Sequence, residues 1–164
     1  MSITAAILKQ IIAEELETIT DERVRAHIRS LLVEPAPILR DWDCGEPGEQ
    51  YTCWAVLNHE RSNTGIAYCE EGFGLKSPWG LVGLTKERGL SMGMDSGWFR
   101  TFMEAYFDSF AATDLSIWRV FKTNLGLSPV PISPELAWDK AWEQIMELRA
   151  SDPETRYDCG HSIK

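Results

Sequence analysis

Residues 50–84 read QYTCWAVLNHERSNTGIAYCEEGFGLKSPWGLVGL, and this stretch decides the fold. From Tyr51 to Asn58 the chain alternates. Tyr51, Cys53, Ala55 and Leu57 project one way and Thr52, Trp54, Val56 and Asn58 the other, which is the period of a strand. Apolar groups on both faces predict a central strand, covered by helices on one side and partly on the other. NHERSNTG is rich in turn formers, so residues 66–70 return as the hairpin partner. Pro78 opens a third strand over residues 79–84, where Gly80 and Gly83 allow a bulge or a close backbone approach.

Helical patterns lie on both sides of this block. Ile3, Ile7, Leu8, Ile11, Ile12 and Leu16 recur at helical spacing, with Ser2 or Thr4 placed to cap. A second helix starts near Thr20, with Val24, Ile28, Leu31 and Leu32 on one face and Asp21 and Glu22 in its first turn. The short link between them predicts an antiparallel helical hairpin over residues 1–33. Standing apart from the sheet, such a hairpin would make a homodimer. Pro35 and Pro37 end helical structure, and residues 37–42 suit an edge strand.

Downstream, residues 85–97 form a long glycine-rich loop. Asp95 or Ser96 then caps an aromatic helix carrying Trp98, Phe99, Phe102, Met103, Tyr106, Phe107 and Phe110. That is more apolar surface than one buried face needs, so the helix is either buried all round or a patch for a partner. Residues 116–122 alternate like a strand, with a helix as the open alternative. Ser133 and Pro134 begin a helix that presents Trp138, Ala141, Trp142, Ile145 and Leu148 and ends near Ala150. Residues 154–164 read as an irregular polar tail. The expected architecture is a single α+β domain over residues 1–164. A small antiparallel sheet of about three to five strands, within residues 37–84, packs with the N-terminal helical hairpin and with C-terminal helices in the mainly helical residues 96–150.

Bulk properties narrow the function. Of 164 residues, 44% are apolar, enough for a core without disulfide or metal staples. The net charge of −9 argues against nucleic acid or anionic membrane as partner, since both reward clustered Lys and Arg. It suits a basic protein partner drawn in by complementary charge. No apolar run approaches the ~20 residues that span a bilayer. The N-terminal stretch lacks a basic region and runs into Glu14, Glu15 and Glu17, so it reads as a helix of a cytoplasmic protein. Cys53 and Cys69 fall on strands as small buried residues, while Cys44 and Cys159 read as free thiols. Cys44, Cys159 and His161 lack the fourth ligand that a closed zinc site wants. Neither a metal nor a cofactor is expected.

Motifs add little chemistry. Gly89-Leu90-Ser91-Met92-Gly93 matches the G-x-S-x-G nucleophile elbow. The preceding TKER is no buried strand, the following MDSGW delays the helix, and His161 is the sole downstream base. Gly72 to Ser77 lacks the phosphate-loop pattern and precedes a strand. Asp41 and Asp43 make a D-x-D triplet that reads as a solvated loop.

A binding role remains. Seven tryptophans are ready interface anchors. Trp42 sits between Asp41 and Asp43, and Trp79 and Trp98 flank the long loop. SNTGIAYCEEGFG, SPWGLV and SMGMDSGWF resemble the immunity proteins, small bacterial proteins encoded beside secreted toxins, over residues 41–110. The resemblance implies a cytosolic, non-enzymatic, acidic α+β protein that binds and blocks a cognate toxin domain. In this chain Asp41, Asp43, Glu46, Glu70 and Glu71 would meet a basic cleft, with Trp42 or Trp79 as anchor. The alternatives are a small serine hydrolase using Ser91, and a small-molecule-binding module with an aromatic pocket beside residues 85–97.

Overall fold

The chain described by the computed structural model, residues 2–85 and 90–164, divides after Ala112 into two units that each carry a sheet. The class is α+β. It is built on two antiparallel sheets of five and three strands, where the sequence pattern predicts one.

In the first unit, Met1–Ala112, Thr4 accepts a hydrogen bond from the Ile7 N–H at 3.2 Å and caps α1 (Ala5–Glu17). Leu8, Ile12 and Leu16 bury one stripe of that helix. Asp21 is the cap of α2 (Glu22–Leu31), accepting from the Arg23 and Val24 N–H groups at 2.9 and 3.4 Å. The Arg23 guanidinium bonded to it holds its carboxyl below the usual carboxylate range. Helix α2 runs without a loop into β1 (Leu32–Asp41), because Pro35 and Pro37 forbid further helix. Proline lacks the ladder donor and suits an edge, and β1 is one of the two outer strands of the order β1-β2-β3-β4-β5. The others are β2 (Gln50–His59), β3 (Thr64–Tyr68), β4 (Trp79–Gly83) and β5 (Trp98–Phe99). Asn63, in the left-handed region at φ 58°, turns β2 into β3.

Helix α3 (Phe102–Asp108) starts later than expected because Trp98 and Phe99 pair with Gly80 and Trp79 as β5. Thr101 and Glu104 form a capping box at its start. The Glu15 carboxylate of α1 accepts from the Phe102 and Met103 N–H groups at 3.2 and 2.9 Å, a negative group at the positive end of a helix. Helix α1 lies against β1, α2 against β2, and α3 against β4 and β5. The helical pair is therefore core structure and does not stand apart from the sheet. Phe102 and Tyr106 are fully buried while Phe110 is 60% exposed, so the aromatic helix is mainly core.

The two faces of the sheet are covered differently. Tyr68, Trp79 and Phe102 stack on the helical face. Gly80 and Val82 alternate to the other face, where Cys53, Ala67, Cys69, Val82, Met92 and Trp98 bury together and Trp42, Tyr51 and Phe73 pack against them. Gly80 is required there. A Cβ on it would stand 2.3 Å from the Trp98 ring.

The second unit, Thr113–Lys164, contains β6 (Trp118–Thr123), β7 (Val130–Pro131), α4 (Trp138–Ser151) and β8 (Arg156–His161), with sheet order β7-β6-β8. Helix α4 packs on β6 and β8, burying Ile117, Val120, Ala141, Ile145 and Tyr157. Two expectations are corrected here. The polar tail is a full strand, with Tyr157 opposite Lys122 and Cys159 opposite Val120. Ser133 does not cap α4, because Leu136 exchanges two backbone hydrogen bonds with Trp118, at 3.0 and 2.6 Å, and this holds the chain extended up to the helix. The Ser133 hydroxyl accepts instead from the Val120 N–H at 2.8 Å.

Candidate functional site

Strand β1 ends where β2 begins, and this corner of the five-stranded sheet collects carboxylates. Asp41 pairs with Gln50, whose side-chain amide donates to Asp41 Oδ1 at 2.7 Å. The Trp42 N–H donates to the Glu49 carbonyl at 2.8 Å, closing the acidic turn over residues 43–48. Glu49 is tied down twice, by the Tyr51 hydroxyl and by the Glu46 N–H at 3.0 Å. These donors hold its carboxyl below the usual range and, in return, the Tyr51 hydroxyl above its own. Gly45 permits this, since a Cβ there would lie 2.0 Å from Glu49 Oε2.

Trp42, half-buried, is the ring at the centre of this corner. Its centroid lies 5.7 Å from that of Tyr51 and 4.9 Å from that of Phe73. A side chain on Gly72 would collide with the Trp42 ring and with Met92, so residues 71–73 run close beside it. Glu71 is thereby brought to the Trp42–Tyr51 side, and its charge helps to raise Tyr51. Glu70 is taken the other way, by the Tyr68 hydroxyl at 3.2 Å, onto the face shared with Trp79 and Phe102. Among the described residues, Asp41, Asp43, Glu46, Glu49, Glu70 and Glu71 take part in no ion pair.

The corner is closed by a strap that sequence reasoning did not foresee. Asp41 and Ser91 form a parallel bridge: the Asp41 N–H donates to the Leu90 carbonyl at 2.6 Å and the Met92 N–H to the Asp41 carbonyl at 3.0 Å. The Ser91 hydroxyl donates to Asp43 and accepts from the Gly93 N–H at 2.8 Å. Beneath it lies Arg40, 2% exposed, donating to the Ser91 and Gly83 carbonyls at 3.3 and 3.0 Å. Its Nε has no partner, and burial pulls its pKa below the ordinary value.

The expected site residues separate accordingly. Asp41, Trp42, Asp43, Glu46 and Glu71 gather at this corner. Trp79, expected as an anchor, is 2% exposed and packed between Tyr68 and Phe102, so it is a core residue. Glu49, Tyr51 and Phe73 were missed. Tyr51 shares a strand face with Cys53, and that alternation was the available signal for it. Gly89 of the G-x-S-x-G match lies outside the described residues, and with it part of the loop over residues 85–97. Ser91 sits in an extended bridge, where an elbow would need a strained strand-to-helix turn.

Asp41 and Asp43 are held by different partners, Gln50 and Ser91, and no group of three or more His, Cys, Asp or Glu among the described residues could hold a metal. Cys159 is pushed up to about 11 by burial, and the His161 ring packs on Trp118. No helix among the described residues is long and apolar enough to cross a membrane. Elsewhere in the first unit, a cavity of about 410 Å³ is walled by Ile12, Leu16, Leu32, Val33 and Pro35, with Lys9 and Arg29 among its charged lining.

Protein-family models, characterised proteins and solved structures contain no match to this chain. The corner itself, where an aromatic ring stands among carboxylates, is the feature of this chain that points to a function.

Proposed function

We propose that this chain is an acidic protein-binding inhibitor of the immunity type, which neutralises a toxin domain by occluding a basic cleft. The observation that carries this reading is the grouping of Asp41, Asp43, Glu46, Glu49 and Glu71 around the half-buried Trp42. Carboxylates at a rim steer a basic partner and set its register. A half-buried tryptophan in their midst supplies the apolar anchor that such a rim surrounds. The tie between Glu49 and Tyr51 and the Ser91 strap pre-organise the corner, which reduces the ordering entropy of association. Occlusion needs no catalytic group of its own, and in this reading the protein works in the cytoplasm.

The test is to co-express this chain with the products of its neighbouring genes, each screened for toxicity, and to score bacterial growth and the affinity of the purified pair. Wild type should restore growth. Asp43→Lys, Glu46→Lys and Glu71→Lys combined should lower affinity about a thousandfold, at about 1.4 kcal/mol per reversed contact. Full protection by the triple variant, or affinity unchanged at low salt, would refute the reading.

A second reading, a small-molecule-binding module whose pocket is the aliphatic cavity between α1 and β1 and not an aromatic one beside residues 85–97, is favoured by that cavity's 410 Å³, within the range of small-ligand sites. Ligands drawn from a metabolite mixture would raise the melting temperature, and Val33→Trp, which fills the cavity, would abolish that rise.

A further inference from the structure

We propose that Cys53 and Cys69 form a redox-active dithiol, a modification site that hydroperoxides convert to a cross-strand disulfide. The proposal does not depend on the inhibitor reading. The β2–β3 register pairs Trp54 with Tyr68 and Ala55 with Ala67, so the next position outward sets Cys53 opposite Cys69. Residues opposite each other in an antiparallel pair hold their Cβ atoms about 4.5–5.5 Å apart. A disulfide wants about 3.5–4.5 Å, so a small local adjustment closes the bond. Both thiols are buried in the same small core, beneath Trp42, Tyr51 and Phe73. Both are unbridged in this structure.

A third group makes the pair reactive. Arg40 lies opposite Tyr51, and Ile38 opposite Cys53, so Arg40 is the diagonal neighbour of Cys53 on the same face. A buried guanidinium held only by backbone carbonyls, with an orphaned Nε, lacks a counter-ion among the described residues. A thiolate nearby would supply one. The two sulfurs are also unequal. The hydrogen bond between them pulls Cys69 down and, together with burial, raises Cys53. With Cys69 as the attacking sulfur, Cys53 is the resolving thiol, and the reverse assignment gives the same disulfide.

The chemistry balances without a cofactor. The Cys69 thiolate attacks one oxygen of hydrogen peroxide. An S–O bond forms, the O–O bond breaks and hydroxide leaves, giving a sulfenic acid. The Cys53 thiol then attacks that sulfur. The S–S bond forms, the S–O bond breaks, and the Cys53 proton leaves with the hydroxyl as water. Two thiols lose two electrons and one peroxide becomes two waters. The half-buried Trp42 and Phe73 are the cover that local opening must lift.

The experiment uses the full chain carrying Cys44→Ser and Cys159→Ser, positions outside this core. The folded protein is exposed to hydrogen peroxide, quenched, unfolded and alkylated, and its peptides are mapped by mass spectrometry. Alkylatable thiols should fall from two to none, with a cross-linked peptide joining the Cys53 and Cys69 segments. Dithiothreitol should restore both. The proposal is overturned if both thiols remain alkylatable under peroxide that oxidises free cysteine. It is equally overturned if Cys69 advances to sulfinic acid without a link, if the link joins two chains, or if it forms only after unfolding.

Discussion

Replacing Gly80 by alanine tests how the face of the sheet beneath the acidic corner is built. The new Cβ would stand 2.3, 2.4 and 2.5 Å from three atoms of the Trp98 indole, against an ordinary carbon contact of about 3.5–4.0 Å. The ring must recede by on the order of 1 Å. It has nowhere to go without loss, because its N–H donates to the Met92 carbonyl at 2.7 Å and its face packs on Phe73. Overpacking of this kind costs about 1–3 kcal/mol, and a lost hydrogen bond about 1 kcal/mol more. Alanine also reduces the entropy of the unfolded chain, which offsets about 0.4–1 kcal/mol. The net loss is about 1–3.5 kcal/mol. The control lies on the same strand. A Cβ on Gly83 would meet nothing within 4 Å, so Gly83→Ala should be neutral or stabilising. Urea unfolding followed by tryptophan fluorescence measures both. Equal stability of Gly80→Ala and wild type, within about 0.5 kcal/mol, would show that Trp98 does not rest on Gly80 as described.

Two further outcomes follow from the first unit. The Asp21 carboxyl has its pKa lowered in the folded chain, so its contribution is present above the unfolded value of about 3.9 and is lost as pH falls through the folded one. Asp21→Ala should therefore destabilise by about 1 kcal/mol at neutral pH, with the difference from wild type shrinking in acid unfolding titrations; a gap that widens below pH ~4 would contradict this sign. Trp79→Ala should cost about 3–5 kcal/mol, and Trp79→Phe, which remains folded, should bind a partner as wild type does. Weakened binding by folded Trp79→Phe would return that residue to the contact surface.

Much of the fold is legible along the chain because it depends on local rules. The alternation from Tyr51, the hairpin through Asn63, the strand after Pro78 and the Thr4 cap each follow from neighbours in sequence. What was misread depends on distant partners. Residues 156–161 are polar and look unstructured until β6 supplies their hydrogen bonds. Ser133 has the chemistry of a cap, but Trp118 claims Leu136 and delays the helix. Trp98 begins a helical pattern, yet the bare backbone of Gly80 draws it into the sheet. At the candidate site, Asp41, Trp42 and Asp43 are contiguous and readily noticed, whereas Glu49 and Phe73 join them only through turns. Glu70 and Glu71, adjacent in the chain, part to opposite sides in the bend that follows β3, Glu70 toward the Tyr68 hydroxyl and Glu71 toward Tyr51. Trp79 shows the limit of counting aromatics: nothing in its neighbours distinguishes an anchor from a core ring.

The parallel bridge between Asp41 and Ser91 has a consequence for the order of assembly. The β1–β2 hairpin closes a short loop, since Asp41 and Gln50 are nine residues apart. The strap joins Asp43 to Ser91 across 48 residues, and closing so long a loop carries a larger entropy that earlier contacts must offset. Contacts between distant segments form late in folding, so the strap settles after the sheet it crosses. The acidic turn therefore pairs before the segment around residue 91 docks across it. The folding chain thus displays its carboxylates first as a mobile hairpin and gains their fixed spacing only when Ser91 arrives.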